Sequence, residues 1–253
     1  MHCLIGFFGL TRSLSHTIES IRWAFLDPLR DAGIPVLTAG HFNLPETTAM
    51  GPGGESGVLS SRSEATLLDL DLCWVERQAD ETIDAEMSAI KALPDVYEDN
   101  YASLTNLCHQ LRSLDRLWSL LHLFAPWPDD LVLLLRADLL YLDRLEPQRD
   151  LEPLVNGQAD LILPGWQSWG GLNDRFAFCS VRAARIYATR FRLMAEACQD
   201  MHAMHAEQFL RFVVSCHDLR IGLTNMRAAR VRGDGSIPPN DQVMISPGDA
   251  AIA

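Results

Sequence analysis

Three short stretches gather the side chains that chemistry usually needs. Arg136 and Asp138 follow an apolar run at residues 131–135, with Ala137 between them. Further on, "SWGGLNDRF" sets Gly170 and Gly171 after Trp169 and follows them with Asn173, Asp174 and Arg175. The third stretch, "HAMHAEQF", carries His202, His205 and Glu207. A carboxylate beside an arginine holds a polar ligand or closes a structural salt bridge, and paired glycines let backbone and ligand approach closely. Two histidines three positions apart are a weak metal signal on their own. Arg12 near the start, and Arg230 and Arg232 near the end, add guanidinium groups, which grip phosphate through paired hydrogen bonds.

These side chains need a scaffold, and the spacing of apolar residues describes one. Residues 3–8 form a short apolar run ended by Gly9, a buried strand feeding a loop with Thr11 and Arg12. Leu14, Ile18, Ile21, Phe25 and Leu29 then recur at helical spacing, with Gly33 as the stop signal. "IPVLTAGHF" is a second strand, and strand, helix, strand at this spacing makes a βαβ unit. Over residues 101–124 a leucine every three or four positions predicts another helix, on which Asn106, Gln110 and Ser113 share a face. Residues 131–135 predict a fully buried strand, so Arg136 and Asp138 fall at its C-terminal end, where open α/β sheets form their ligand crevice. "ADLILP" and "LRIGLT" predict further strands. Residues 180–198 predict one helix with Ser180 as its N-cap, and residues 205–217 another. The whole chain, 1–253, reads as a single α/β domain, with a flexible Gly/Pro/Ser-rich loop at 43–63 and a loosely held tail at 236–253.

Composition narrows the partners. Twenty-one basic residues against 33 acidic ones give a net charge of −12, which argues against nucleic acid or an anionic membrane as a general partner while leaving room for a local phosphate pocket. The six cysteines form no CxxC pair and sit mostly among apolar residues, as reduced thiols do. No apolar run approaches the ~20 residues of a membrane helix, and the N-terminal run lacks the flanks of a signal peptide. The expected location is the cytoplasm, free or peripherally attached to the inner membrane. A Rossmann methyltransferase or reductase would want a glycine-rich fingerprint after the first strand, and "FFGLTRS" holds one glycine.

Taken in order, "FFGLTRSLSHTIESI", "NLCHQLRSLDRLW", "LLRADLLYL", "WGGLNDRFAFCS", "HAEQFL" and "RVRGDG" resemble glycosyltransferases of the GT-A type from bacteria and large viruses, and they span nearly the whole chain. The resemblance implies a Rossmann-like, mostly parallel sheet flanked by helices. It implies transfer of a sugar from a UDP-, GDP- or dTDP-type donor to the hydroxyl of a glycan acceptor, or a domain of the same fold that only binds a nucleotide or glycan. The diphosphate leaving group then needs a divalent metal or cationic side chains. Enzymes of this type usually hold Mn²⁺ or Mg²⁺ with Asp-x-Asp at a strand end; here Arg136 stands in place of the first Asp. Either Asp138 binds a metal with help from His205 or Glu207, or Arg136 meets the donor directly. "WGGLND" is similar to the Trp-Gly-Gly-Glu-Asp turn of inverting galactosyltransferases, with Leu172 and Asn173 altering it, and this likeness makes Asp174 the general base. By the same likeness Trp169, Gly170, Gly171, Asn173, Arg175 and Glu207 are expected at the acceptor or sugar. Gly9, Thr11, Arg12, Gln110 and Ser113 are expected at the nucleotide, with Arg230 and Arg232 closing over the phosphates.

Overall fold

In the computed structural model, which describes residues 1–45 and 63–245, strand β1 (Cys3–Gly9) is an interior strand of a seven-stranded sheet. Cys3 to Phe8 are buried throughout, and the strand serves two cores at once. Cys3, Ile5 and Phe7 point to one side, onto Leu14, Ile18, Ile21 and Phe25. Leu4 and Phe8 point to the other, onto the Ala102–Leu121 helix. Side chains alternate along a strand, so a strand covered on both faces is apolar at every position. Fully burying each such side chain is worth about 1.5–3 kcal/mol over leaving it exposed. Gly6 marks the closest approach: a Cβ there would sit 2.7 Å from a Leu117 methyl.

The remaining strands are β2 (Val36–Leu44), β3 (Leu72–Arg77), β4 (Leu131–Arg136), β5 (Leu139–Tyr141), β6 (Leu161–Pro164), β7 (Ala177–Ser180), β8 (Ile221–Thr224) and β9 (Ala228–Arg230). The sheet runs β3-β2-β1-β4-β7-β6-β8, and β7 alone is antiparallel to its neighbours, while β5 and β9 form a separate antiparallel pair. The strand order turns around between β1 and β4, whose register sets Phe8 beside Arg136. In open α/β sheets such a reversal, at the C-terminal ends of both strands, is where ligands bind. Among the described residues no helix is long and apolar enough to cross a membrane.

Several elements differ from the sequence expectation for identifiable reasons. The helix after β1 begins at Leu14 and passes through a π-helical stretch, Arg22–Leu26, before Asp27–Asp31. Pro28 has no N–H to give the Ala24 carbonyl, and the Leu145 N–H takes it instead at 2.9 Å. Gly33, at φ +67°, ends the segment as expected. The stretch expected as one helix over 180–198 is capped by Ser180 but divides into Val181–Ala188, a 3₁₀ segment Thr189–Leu193, and Met194–Asp200. There the Thr189 hydroxyl and the Arg190 guanidinium take the Arg185 and Tyr187 carbonyls, at 2.8 and 2.5 Å. The expected 43–63 loop lies mostly outside the described residues; Asn43 and Leu44 belong to β2.

The tail is also held more firmly than composition suggests, at least as far as residue 245. Asp241 is fully buried and accepts from Arg175 (2.7 and 2.9 Å) and Arg230 (2.8 and 3.3 Å). Burial pushes its carboxyl up, but the two guanidinium groups more than offset that and hold it well below the usual carboxylate range. A depressed carboxyl contributes stability that is present above its ordinary pKa, near 3.8, and is lost as pH falls through the folded value. Asp241→Asn leaves buried Arg175 uncompensated and is expected to cost about 3 kcal/mol at pH 7. Denaturant titrations across pH should show the two proteins converging below about pH 4; a gap that does not change with pH would exclude the ion pairs as its source.

Candidate functional site

The floor of the site follows from the crevice between β1 and β4. β4 ends at Arg136, and the chain turns through Ala137 and Asp138 into β5. Arg136 and Asp138 bond in a fork, Nε to Oδ1 at 2.8 Å and Nη2 to Oδ2 at 2.6 Å, both side chains mostly buried. Burial raises the Asp138 carboxyl, but Arg136 foremost, then Arg12 and Arg230, outweigh it and leave it below the usual range. Arg230 arrives through the second sheet: it pairs with Leu139 across β5 and β9, and the next residue, Val231, donates its N–H to the Asp138 carbonyl at 2.9 Å. Gly9 closes the end of β1 at φ +99°, with open space where a Cβ would be.

The wall opposite comes from distant segments. Asp174 is buried, and Arg190 lies behind it, itself 1% exposed, with Nη2 at 3.7 Å from Oδ2 and no hydrogen-bond partner. Arg190 also stacks on Tyr187 at 3.9 Å, and the Tyr187 hydroxyl donates to the Asp174 carbonyl at 2.8 Å. One tyrosine and one arginine thus fix both ends of this aspartate. Glu207 stands in the first turn of the Ala206–Cys216 helix. That turn and the glycine turn are pressed together: a Cβ on Gly171 would lie 2.1 Å from the Glu207 carbonyl, and Leu172 donates its N–H to the same carbonyl at 2.9 Å. Burial and then the Asp174 charge push the Glu207 carboxyl up to about 7. His205 is the residue just before the helix, so it meets Glu207 after all, Nδ1 to Oε2 at 3.0 Å, although residues two apart within a helix would point apart. Tyr97 stacks on the His205 ring, centroids 5.5 Å apart.

The charges of Arg12 and Arg230 act on Asp138, that of Asp174 acts on Arg136 and Glu207, and Phe8, beside Gly9, is in register with Arg136; other expected residues have partners within the fold. Ser113, expected at the nucleotide, is fully buried and spent on support: it accepts the Gly9 N–H at 3.0 Å, donates to the His41 carbonyl at 2.8 Å and lies 2.9 Å from His41 Nδ1. Gln110, one helical turn earlier, is half-buried. Thr11 is buried and donates to Glu64 at 2.9 Å. Asn173 and Arg175, expected at the sugar, have structural partners in and beyond the turn. Asn173 donates to the Trp166 carbonyl and accepts the Arg175 N–H, and Arg175 is held by Asp241 and Gln167. Trp169 is 57% exposed beside Gly170, both at positive φ, and stays available to a ligand. Arg232 sits in the turn after β9, where its charge acts on Asp234. Tyr97, Arg190 and Asp241 lie in no sequence motif, and only the fold reveals that Arg190 and Asp241 are buried against charged partners and that Tyr97 stacks on His205.

The expected metal pairing of Asp138 with His205 does not form. Both oxygens of Asp138 are taken by Arg136, and His205 is turned to Glu207. Among the described residues no three His, Cys, Asp or Glu side chains come together to hold a metal ion, so the donor set does not fit one. Two surface depressions of about 470 and 420 Å³ share no lining residue with this cluster. Within them Arg192 pairs with Asp115 and Arg144 with Asp31.

Compared with protein-family models and with curated proteins, the sequence finds no match. Solved structures do match. Core-mannan synthase A from Aspergillus fumigatus, in its Mn/GDP form, shares 7% identity at a TM-score of 0.50, with 91% of this chain and 74% of that one covered. Mouse xyloside xylosyltransferase 1, apo form, matches at 16% identity and TM-score 0.40, covering 88% of this chain and 84% of its own. The galactosyltransferase LgtC, in complex with donor and acceptor sugar analogs, matches at 12% identity and TM-score 0.41, covering 88% and 73%. At these identities the likeness is one of fold: the chain has the GT-A arrangement, a mostly parallel sheet flanked by helices.

Proposed function

We propose that the protein is a glycosyltransferase that moves a sugar from a nucleotide-sugar donor to a hydroxyl of a glycan acceptor, with inversion, in the synthesis of a polysaccharide or related glycan. One observation carries this reading. Asp174 and Glu207, brought from separate segments, feel each other's charge, and Asp174 also acts on Arg136, which forks onto Asp138 at the end of β4. A cationic floor for a leaving diphosphate and a carboxylate wall for an incoming hydroxyl are the two things this transfer needs.

In the reaction we infer, the acceptor hydroxyl gives its proton to Asp174 as its oxygen bonds to C1 of the donor sugar. The bond between C1 and the diphosphate oxygen breaks, and the nucleoside diphosphate leaves with the electron pair. Attack from the side opposite the leaving group inverts C1. Arg190 and Tyr187 hold Asp174 in place for this step. Glu207, with its carboxyl near 7, is present in both protonation states at neutral pH and so can donate or accept a hydrogen bond at a sugar hydroxyl. Trp169 offers an exposed aromatic face on which a sugar ring can rest.

Two outcomes follow. Asp174→Asn should lower transfer, read as nucleoside diphosphate released from UDP-, GDP- and dTDP-sugars with acceptor, by roughly 10²–10⁴-fold while sparing donor binding. Loss of donor binding instead would remove the base assignment, and a wild-type protein that binds donors without ever turning them over would favour a binding domain. The second outcome concerns pH. A carboxyl raised to about 7 from an ordinary 4.5 binds its proton more tightly when folded, so its contribution to stability declines as pH rises from 4.5 through 7. Glu207→Gln carries no such charge. Its melting temperature relative to wild type is expected to rise between pH 5 and pH 8; a difference that stays flat would mean Glu207 titrates normally.

A further inference from the structure

We propose that Arg136, together with Arg230, replaces a divalent cation at the donor diphosphate, with Asp138 acting as the internal counter-ion that sets the guanidinium plane. This deepens the glycosyltransferase reading and rests on it. The position is the relevant one: Arg136 lies in register with Phe8 at the strand reversal, next to the open backbone of Gly9. The carboxylate a metal would need is closed on both oxygens by the Arg136 fork. A cation entering there would have to break two charge-assisted bonds and then sit against Arg136, with the charges of Arg12 and Arg230 also converging on Asp138.

An anion meets the opposite situation. A guanidinium carries five N–H donors, and Arg136 uses only Nε and Nη2 on Asp138. Arg230 likewise uses Nε and Nη2 on Asp241, with its side chain 41% exposed. Each therefore keeps Nη1 for phosphate oxygens while its carboxylate partner holds the plane steady. The fixed fork also explains why a lysine would not serve equally: an ammonium has no plane to set and no second edge to offer.

The test is calorimetric binding of UDP, GDP and dTDP, each measured with EDTA and with Mn²⁺. One of the three is expected to bind with the same Kd in both conditions. Arg136→Ala should weaken that binding roughly ten- to a hundredfold, and Arg136→Lys, which retains the charge and serves as the folding-tolerant variant, by an intermediate amount. Circular dichroism confirms the fold of each. In Arg136→Asp, which restores two carboxylates at the strand end, binding should become stimulated by Mn²⁺. Wild-type binding that appears only with Mn²⁺ and vanishes in EDTA would overturn the proposal and leave the glycosyltransferase reading intact, as would a folded Arg136→Ala with unchanged affinity. No binding of any nucleotide in either condition would overturn both.

Discussion

The apolar centre of the sheet constrains everything else in the molecule. β1 is buried from Cys3 to Phe8 and β4 from Leu131 to Leu135, each against a core on both faces. No polar side chain fits along either strand without losing water that nothing nearby replaces. Function is thereby pushed to the point where the strands end and the backbone first reaches solvent. Phe8 and Arg136 are neighbours in the ladder, so the first charge after either strand is placed at the reversal of strand order. The second sheet exists to serve the same point: β5 and β9 contribute three residues each, and their pairing delivers Arg230 from a segment nearly a hundred residues later in the chain to within reach of Asp138.

Charge around that point is handled by arginine almost exclusively. Of the 21 basic residues only Lys91 is a lysine. The reason is geometric. Arg136 on Asp138, Arg220 on Asp160, Arg227 on Asp143 and Arg230 on Asp241 all set the Nε–Nη2 edge of the guanidinium against one carboxylate. A forked contact fixes direction as well as distance, which a flexible ammonium does not. An acidic chain of net charge −12 can therefore still hold several guanidinium groups in fixed orientation around one strand end. Asp241 illustrates the reach of such anchoring: one buried carboxylate ties the glycine turn, through Arg175, to β9, through Arg230.

Much of this was legible in the sequence. The buried strands at 3–8 and 131–135, the leucine-rich helix and the Arg136–Asp138 pair at a strand end all follow from local patterns, and local patterns are what periodicity reports. β3 was not legible, because "LCWVER" is an edge strand with Cys73 and Trp74 exposed, so it carries no clean alternation. The antiparallel β7 was hidden by its length of four residues. Ser113 was expected at a ligand from a shared helix face, and Asn173 and Arg175 from the likeness in the glycine turn. Neither signal reveals that Ser113 has its hydroxyl engaged by Gly9 and His41, or that Asp241 waits for Arg175 some 66 residues away. His205 was expected inside the 205–217 helix, where helical geometry would keep it apart from Glu207. It precedes the helix in extended backbone, and one residue's difference in the helix start lets the two side chains meet.

The break in the 180–198 stretch carries the last step of this reasoning. Its residues favour one continuous helix, and a continuous helix would satisfy the backbone groups between its first and last turns without help. The chain instead tightens into a 3₁₀ segment, in which the fully buried Arg190 takes the Tyr187 carbonyl, stacks on its ring and leaves one nitrogen facing Asp174. Burying a guanidinium with an unmet donor is costly, and nothing in the local sequence calls for it. The compensation lies outside the helix, in the position of one carboxylate whose carbonyl end is held by the same Tyr187. Departures from local preference concentrate where a site needs a side chain held from behind, and here that departure points to Asp174 independently of any likeness in the glycine turn.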